Sequence, residues 1–367
     1  MMTLAVHGGF AADGLRHLVV LDVPAHFAGW PANNGLWTWD GGREILVGCT
    51  LGAFKEQPGH NIVEPYRSVF VRSTDAGESW TLEDPESFVG DVANAVACPG
   101  GIDFANPDFA LRCVGSAYHG SDDKAGALFV STNRGHAWRG PFRFNGLNDE
   151  PEQAGREQTP RTDYVPLSAK SCLVFLASRP AGKPLVQDRA YVARTDDGGA
   201  TFRFVNWIVP LSDPSRAVMP STVLVGADDL VSALRRRAGN EDRCWIDAYF
   251  SRDGGKSWAL RSEVGSTGAG NGNPPALAKL RDGTLCCAYG DRKSRRMLAR
   301  FSGDKGQTWS GEVILRDDFK PDKLGDADFG YPRLAQRPDG KLIVFYYFAT
   351  AANPRQHIAA TIFEVAR

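Results

Sequence analysis

Residues Ser73–Trp80 read STDAGESW, the first of five related octets that decide the fold. The pattern Ser/Thr-x-Asp-x-Gly-x-x-Trp recurs twice in full and twice in degenerate form, at Ser251–Trp258, Ser302–Trp309, Ser131–Trp138 (Asn for Asp) and Thr195–Phe202 (Phe for Trp). The first residues of successive octets are 51 to 64 positions apart. This period is that of one four-stranded propeller blade with its loops.

Each octet has the chemistry of a tight turn. A short acidic side chain such as Asp75 can hydrogen-bond the backbone two residues on. Gly77 can adopt a positive φ that other residues resist, and Trp80 supplies a large apolar body. The octet therefore predicts a folded turn with an aromatic ring packed beneath it.

A second repeat lies upstream of the octets. Pro274–Leu285 and Tyr331–Leu342 each contain an apolar run, an Asp-Gly pair and another apolar run, which is a hairpin signal. Together the two repeats predict an all-β, six-bladed β-propeller spanning residues 1–367 as one domain. A strand at about residues 15–22 is expected to close the last blade, which removes an open sheet edge. The expected blades are 28–90, 98–145, 158–210, 217–262, 272–315 and 329–367.

Composition narrows the possible partners. The net charge is −1, from 42 basic and 43 acidic residues, which argues against a general nucleic-acid binder. No run approaches the ~20 apolar residues of a membrane helix, and the N-terminus lacks signal-peptide features, which favours the cytoplasm. Seven cysteines occur without a CxxC pair, so neither a metal nor another cofactor is expected. The oligomeric state stays open.

The octets resemble the BNR, or Asp-box, repeat of the sialidase superfamily. The last two blades, with NPPALAKLRDGTLCCAYGDR and FGYPRLAQRPDGKLIVFYYF, are similar to bacterial sialidase-like proteins. The resemblance implies that the octets face away from the substrate and that the site lies at the opposite tunnel mouth. It also implies three arginines that hold a carboxylate, a tyrosine nucleophile paired with a glutamate, and an aspartate acid/base.

Several of these parts have matches here. Tyr331 begins the first strand of blade six, where the sialidase tyrosine falls. Arg292 and Arg235 end the second strands of blades five and four, where two of the arginines occur, and Arg179 has the same position in blade three. A guanidinium grips a carboxylate in a fixed fork, and a phenol needs activation before it can act as a nucleophile.

Other parts are missing. The blade-one stretch 28–34 lacks the first arginine, and the start of blade four, 218–222, lacks the glutamate. The loop 54–67 contains no aspartate, which leaves His60 and Glu64 as candidate acid/base residues. Histidine can do this work near neutral pH.

We therefore expect a glycoside hydrolase that acts on an acidic oligosaccharide or glycoside, sialic or uronic, with little or no true exo-sialidase activity. The expected catalytic residues are Tyr331, His60, Asp163 and Glu64. Asp163 could act as a base, or pair with Arg161 or another arginine. The expected substrate-binding residues are polar, cationic or aromatic: Arg292, Arg161, Arg235, Arg179, Asn33, Asn34, Trp37, Asn273 and Asp328.

Two alternatives remain from the same residues. A polysaccharide lyase would use arginine to neutralise a uronate carboxylate while Tyr331 or His60 moved the proton. A non-catalytic glycan-binding propeller would keep the aromatic and amide side chains without an activated acid or base. A protein-interaction propeller is less favoured, because the octets resemble sialidases rather than WD-type repeats.

Overall fold

A computed structural model describes residues 10–84, 94–115, 125–239, 242–321 and 324–366. It contains six antiparallel sheets in sequence order around a central tunnel, with one parallel outer pair in the second sheet. The expected all-β, six-bladed, sialidase-like propeller is confirmed. Within the described ranges no helix is long and apolar enough to cross a membrane.

The first three blades contain strands β2 to β15. Blade one is built from β2 (His26–Gly29), β3 (Leu36–Trp39), β4 (Glu44–Phe54), β5 (Ile62–Ser73) and β6 (Thr81–Glu83). Blade two is built from β7 (Val96–Ala97), β8 (Ala110–Val114), β9 (Ala127–Ser131) and β10 (Arg139–Arg143). Blade three is built from β11 (Arg156–Gln158), β12 (Tyr164–Pro166), β13 (Cys172–Pro180), β14 (Arg189–Thr195) and β15 (Arg203–Trp207).

The last three blades contain strands β16 to β26, together with β1. Blade four is built from β16 (Arg216–Leu224), β17 (Leu230–Arg237), β18 (Cys244–Ser251) and β19 (Ala259–Gly268). Blade five is built from β20 (Ala276–Lys279), β21 (Leu285–Asp291), β22 (Arg296–Ser302) and β23 (Val313–Arg316). Blade six is built from β24 (Gly330–Gln336), β25 (Leu342–Phe348), β26 (His357–Ala366) and β1 (Ala11–Leu21).

The outer strand of blade six comes from the other end of the chain. β1 pairs antiparallel with β26, from Ala11 opposite Ala366 to Leu21 opposite Ile358. This is the strand expected near residues 15–22. Because the pairing joins the two ends of the chain within one sheet, it holds blade six beside blade one.

The inner strands of blades one and three are interrupted. β2 and β3 both pair with β4 and are separated by the helical turn α1 (Pro31–Asn34). In blade three, β11 and β12 both pair with β13 and leave residues 159–163 between them. Both interruptions bring irregular backbone to the tunnel, where side chains can leave the alternation of a regular strand.

Apolar side chains between neighbouring blades form the core. The described residues form six buried clusters, and each joins one blade to the next around the ring. At the junction of blades six and one, for example, Ile343 and Phe345 pack with Val47 and Val71. The interior of the propeller is therefore divided into six interfaces between blades.

The octets differ in detail from the expected turn. In the first octet, Asp75 Oδ1 accepts hydrogen bonds from the backbone N–H groups of residues three and four positions on, Glu78 at 3.0 Å and Ser79 at 2.9 Å. The hydrogen bond that spans two residues is made by Ser73 instead, because its hydroxyl accepts from Asp75 N–H. The same hydroxyl also accepts from Gly77 N–H at 2.8 Å. Gly77 has φ +91°, as expected.

The octets lie on the face opposite the expected site. In blades one, three, four and five each octet follows the third strand counted from the tunnel, as Ser73 ends β5. Because neighbouring strands in these blades are antiparallel, the end of the third strand lies at the opposite edge from the start of the first strand and the end of the second. In blade two the octet follows β9, which is antiparallel to the inner strand β8. The residues expected at the site occupy those latter positions.

Replacing Asp75 with asparagine should destabilise the fold in a pH-dependent way. Burial raises the pKa of Asp75, but hydrogen bonds from Ser79, Ser73 and Glu78 outweigh it and bring the pKa to about 2. The charge therefore contributes stability above about pH 4, and this contribution is lost as the pH falls toward 2. Asp75→Asn should lower the free energy of unfolding by about 0.5–1.5 kcal/mol at pH 7.

Denaturant unfolding between pH 3 and pH 8 measures this effect. The difference in the free energy of unfolding between Asp75→Asn and wild type should become smaller as the pH falls. The side chain itself fits, because Asn133 already accepts from Ala137 N–H at 2.9 Å in the second octet. A difference that does not change with pH would contradict the assigned role of the Asp75 charge.

Candidate active site

Three residues in the left-handed backbone region mark one mouth of the tunnel. Trp30, Met219 and Tyr331 have φ values of 58°, 57° and 50°, and each precedes a proline. A residue before proline normally adopts extended backbone, and such an unusual conformation costs about 1–3 kcal/mol. All three side chains belong to the apolar cluster between blades six and one. Strain of this kind collects at functional sites.

Asn273 holds Tyr331 in place. Its Oδ1 accepts a hydrogen bond from Tyr331 N–H at 3.1 Å, and Asn273 is fully buried. Gly330 makes this contact possible, because a Cβ at that position would lie 2.3 Å from Asn273 Oδ1. Asn273 was expected to bind substrate, but it lies behind Tyr331 and positions that backbone.

Two arginines activate the Tyr331 phenol. Arg235 Nη1 donates a hydrogen bond to the Tyr331 hydroxyl at 3.0 Å. Burial raises the pKa of Tyr331, but the positive charges of Arg235, Arg292 and His60 outweigh it and lower the pKa to about 8. A phenol that ionises this readily is a candidate nucleophile or base.

Asp328 orients His60. Asp328 Oδ1 accepts hydrogen bonds from His60 Nδ1 at 2.9 Å and from the Tyr347 hydroxyl at 2.5 Å. Since a carboxylate only accepts, the His60 ring donates from Nδ1 and keeps Nε2 for another partner. Burial lowers the pKa of His60, but the hydrogen bond and the charge of Asp328 raise it to a net value above the usual 6.5.

A cavity of about 450 Å³ opens at this mouth. Four blades contribute to it, and the loop 55–61 covers one side. The cavity brings together four predicted catalytic or cationic residues, namely Tyr331, His60, Glu64 and Arg161. Its remaining lining residues are Trp30, Asn33, Asn34, Thr50, Gln57, Pro58, Gly59, Ile62, Tyr66, Arg112, Val114 and Gly115.

Arg292 and Arg235 are not in the cavity wall but lie beside Tyr331. Arg292 Nε donates to the carbonyl of Gly272 at 3.0 Å. Burial lowers the pKa of Arg292, but Tyr347, Asp328 and Tyr331 raise it to a net value above the usual one. These two guanidinium groups therefore act on the site through the phenol.

The family of the chain is decided by a match over its central and C-terminal blades. The profile of the family described as "BNR repeat-like domain" matches residues 110–344, which is more than half of the chain. The chain belongs to the BNR repeat-like domain family. No curated protein matches it in sequence.

Solved structures share this BNR repeat-like fold. A protein of unknown function from Dyadobacter fermentans has a TM-score of 0.69 at 21% identity, covering 96% of this chain and 100% of its own. An α-L-arabinanase from Penicillium chrysogenum, complexed with arabinobiose, has a TM-score of 0.58 at 13% identity, and the match covers 94% of this chain and 97% of the arabinanase. The NanB sialidase from Streptococcus pneumoniae has a TM-score of 0.57 at 11% identity, and the match covers 95% of this chain and 70% of the NanB chain. At these identities the likeness establishes the fold.

Three predicted site residues of this BNR repeat-like propeller lie elsewhere. Arg179 pairs with Glu157 at 2.6 Å and Asp188 at 3.3 Å in blade three. Trp37 is buried against Trp138, the closing aromatic of an octet, at 5.2 Å between ring centroids. The predicted places of both at the substrate cavity are wrong.

Asp163 is the third residue outside the substrate cavity. Together with Trp37 and Arg333 it lines a second cavity of about 380 Å³ on the octet side of the tunnel. Arg333 Nη2 donates to the carbonyls of Ala32 at 2.7 Å and Thr162 at 2.6 Å. Asp163 therefore cannot serve as the base for Tyr331.

Two further predicted residues have structural roles. Asn34 Oδ1 accepts from Arg112 and from Ser68, while its Nδ2 donates to the Trp30 carbonyl and the Thr50 hydroxyl. The Asn34 amide therefore stabilises the α1 turn through these hydrogen bonds. Asp328, which is 1% exposed, lies behind His60 rather than in the cavity wall.

Arg112 was missed by sequence reasoning although it lines the cavity. It lies in β8, whose sequence ALRCV is otherwise apolar, and it is only 1% exposed. A single arginine inside an apolar inner strand is the signal that could have identified it, because arginine is almost never fully buried without a specific role.

Replacing Asp163 with asparagine should stabilise the protein increasingly as the pH rises. Burial raises the pKa of Asp163 to about 7, while Thr222 and Arg333 act in the opposite direction. The folded state therefore favours the protonated acid, and that contribution is lost between about pH 4 and pH 7. Relative to wild type, Asp163→Asn should gain about 1–3 kcal/mol in unfolding free energy between pH 4 and pH 8.

The measurement is again denaturant unfolding across pH, with Asp75→Asn as the matched control because its pKa is shifted the other way. A relative stability of Asp163→Asn that is flat or falls with pH would show that this carboxyl ionises normally in the tunnel.

Proposed function

We propose that the tunnel mouth is the active site of a glycoside hydrolase that acts on an acidic sugar, with Tyr331 as its nucleophile. The observation that carries this proposal is the Tyr331 phenol, hydrogen-bonded to Arg235 and with a pKa lowered to about 8, in the wall of a sugar-sized cavity. The similarity of this chain in fold to the arabinanase and the sialidase supports a carbohydrate substrate.

In the proposed first step, the Tyr331 oxygen bonds to the anomeric carbon as the glycosidic C–O bond breaks. His60 gives its proton to the departing oxygen. In the second step a water molecule attacks the anomeric carbon, His60 takes the proton of that water, and the bond to Tyr331 breaks. Asp328 is a positioning residue that fixes the tautomer and charge of His60.

The positive charge of the mouth favours an anionic sugar. Arg235 and Arg292 act on Tyr331, and Arg161 lines the cavity, with its Nε bonded to Asn33 Oδ1 at 2.8 Å. Glu64 also lines the cavity but is exposed. A carboxylate or sulfate on the substrate would meet guanidinium groups, which bind such groups through charge-assisted hydrogen bonds.

Weak sialidase activity is expected because two residues at the mouth differ from those that the sialidase resemblance implies. Trp30 lies in the stretch where the sialidase resemblance places the first arginine, and Met219 lies where it places the glutamate. The Met219 sulfur is 3.6 Å from Arg235 Nη1, so the tyrosine has a thioether nearby in place of a carboxylate. Loss of one charge-assisted contact typically costs about 1.5–3 kcal/mol.

A lyase is the second candidate, favoured by the pairing of a phenol with a histidine at one cavity. In that reaction Tyr331 phenolate would take the proton beside a uronate carboxylate, a C=C bond would form, and the glycosidic bond would break. His60 would protonate the leaving oxygen. Its product would be an unsaturated uronate, which absorbs ultraviolet light, whereas hydrolysis gives no such product.

Replacing Tyr331 with phenylalanine tests the proposal. We expect purified protein to cleave at least one uronic-acid glycoside, with little turnover of a fluorogenic α-sialoside. Tyr331→Phe should reduce kcat by on the order of 100-fold or more, because the nucleophile is lost. Wild-type kcat/KM should be bell-shaped in pH, since Tyr331 must be ionised, with a pKa of about 8, and His60 protonated.

The matched control is Tyr346→Phe. Tyr346 is a fully buried tyrosine of the same blade whose hydroxyl bonds Thr361, and it does not line the cavity. The Tyr346→Phe variant should have a kcat within a few-fold of the wild-type value. Equal activity of Tyr331→Phe, or a bound acidic glycan that is never cleaved, would each overturn the proposed hydrolase. Strong sialoside turnover would contradict the expected weakness of its sialidase activity.

A further inference from the structure

The second cavity, of about 380 Å³ and here called the octet-side cavity, has no part in the proposed reaction. Four blades line it: blade one supplies β3, blade two residues just before β8, blade three residues of the segment 162–166, and blade six Arg333. β3 and β12 are the short strands that follow the two interruptions of inner strands. The octet-side cavity therefore depends on the same interruptions that shape the tunnel.

Five of the residues that line the octet-side cavity are aromatic, namely Trp37, Trp39, Phe104, Phe109 and Tyr164. The Phe109 ring packs edge-on against Phe104 and Tyr164, with 5.4 Å and 5.8 Å between ring centroids. Aromatic rings held by such contacts present a rigid apolar surface on which a ring-shaped ligand can pack.

Two side chains of opposite charge lie beside these rings. Asp163 is 8% exposed, and its Oδ1 accepts from Thr222 N–H at 3.1 Å, whereas its Oδ2 is buried without a hydrogen-bond partner among the described residues. Arg333 Nε is likewise buried and has no partner in the part of the chain that the structure describes. Since buried polar groups are normally hydrogen-bonded, this pair offers an acceptor and a donor to a ligand.

One arginine of the second octet fixes the rim of the octet-side cavity. Arg134 donates from Nε to Asp108 and from Nη1 to Asp40, each at 2.6 Å. Asp108 directly precedes Phe109 in the chain, and Asp40 directly follows Trp39. The two segments that carry four of the five rings are therefore tied together, and a site that is already ordered loses less entropy when it binds a ligand.

The charges of the octet-side cavity favour a neutral ligand. Burial raises the pKa of Asp163 and the charge of Arg333 lowers it, so the two groups lie close enough to interact. Arg333 would repel an organic cation, and an ionised Asp163 would repel an anion. A sugar hydroxyl can both donate and accept, so it suits Asp163 in either protonation state as well as Arg333.

We propose that the octet-side cavity binds one neutral sugar residue, packed against the aromatic wall and hydrogen-bonded to Asp163 and Arg333. A volume of about 380 Å³ lies within the range of small-molecule sites. The inference does not depend on the proposed hydrolase, because neither Tyr331 nor His60 lines this cavity. The propeller would then hold a neutral part of a glycan at the mouth opposite Tyr331.

Sugar binding tests the proposal without requiring turnover. Wild type would be titrated with the methyl glycosides of D-glucose, D-galactose and L-arabinose, followed by calorimetry and by tryptophan fluorescence. We expect at least one of the three to bind saturably. Asp163→Leu should raise its Kd about 10- to 100-fold, the usual effect of losing a hydrogen bond to a charged group, whereas Asp163→Asn keeps an acceptor and should change the Kd only a few-fold.

Trp39→Phe locates the bound sugar. This variant keeps an aromatic ring, so calorimetry should still detect binding, while the change in tryptophan fluorescence should become smaller. Circular dichroism verifies the fold of each variant, and Trp39→Phe remains an independent test if Asp163→Leu does not fold. Tyr346→Phe, which lines neither cavity, is the matched control and should bind as wild type does.

Three results would overturn the sugar site: no saturable binding of any of the three glycosides, an unchanged Kd in Asp163→Leu, or an unchanged fluorescence response in Trp39→Phe. Tighter binding of choline than of every glycoside would also overturn it, because the cavity would then be a site for organic cations.

Discussion

The antiparallel pairing of β1 with β26 is the constraint on which the rest of the structure depends. It fixes blade six beside blade one, and the candidate site lies across that junction. His60 of blade one bonds Asp328 before blade six, and Gly59 N–H donates to Asp326 at 3.1 Å. Arg333 of blade six reaches the carbonyl of Ala32 in blade one. If the ring did not close here, the acid/base residue and the phenol would not share a cavity.

Charge inside the tunnel explains the chemistry of the mouth. Arg235, Arg292 and Arg333 come from blades four, five and six, and they donate hydrogen bonds to neutral oxygen atoms. Tyr331 is one such acceptor, and its phenol becomes more acidic because Arg235 donates to it. Arg333 donates instead to the backbone carbonyls of Ala32 and Thr162, and it lines the second cavity.

Much of this arrangement could be predicted from the sequence. The octet period and the Asp-Gly hairpins determine the blade count because both are local signals of turn chemistry. Tyr331 near the start of β24, Arg161 just before β12 and His60 in the loop between β4 and β5 line one cavity. The absence of an aspartate in the loop 54–67 directs attention to His60, which the structure pairs with Asp328.

The misplacement of Asp163 and Trp37 has one physical cause. Blade-one and blade-three inner strands are interrupted, so the alternation of side chains does not carry through them. Arg161 therefore faces the substrate cavity, whereas Asp163, two residues on, faces the octet side. Trp37 follows the α1 turn, packs against Trp138 and lines the second cavity. Nothing in the local sequence marks either interruption as strongly as the octets mark the turns.

The most direct test of this account is the ionisation of Tyr331 itself. Ultraviolet difference spectra between wild type and Tyr331→Phe, recorded across pH, isolate the absorbance of this one phenolate. A single additional tyrosine should ionise near pH 8 in the wild type, because the charges of Arg235, Arg292 and His60 outweigh the effect of burial. An ionisation at or above the ordinary value of about 10 would contradict the claim that this mouth is an electrostatically activated site.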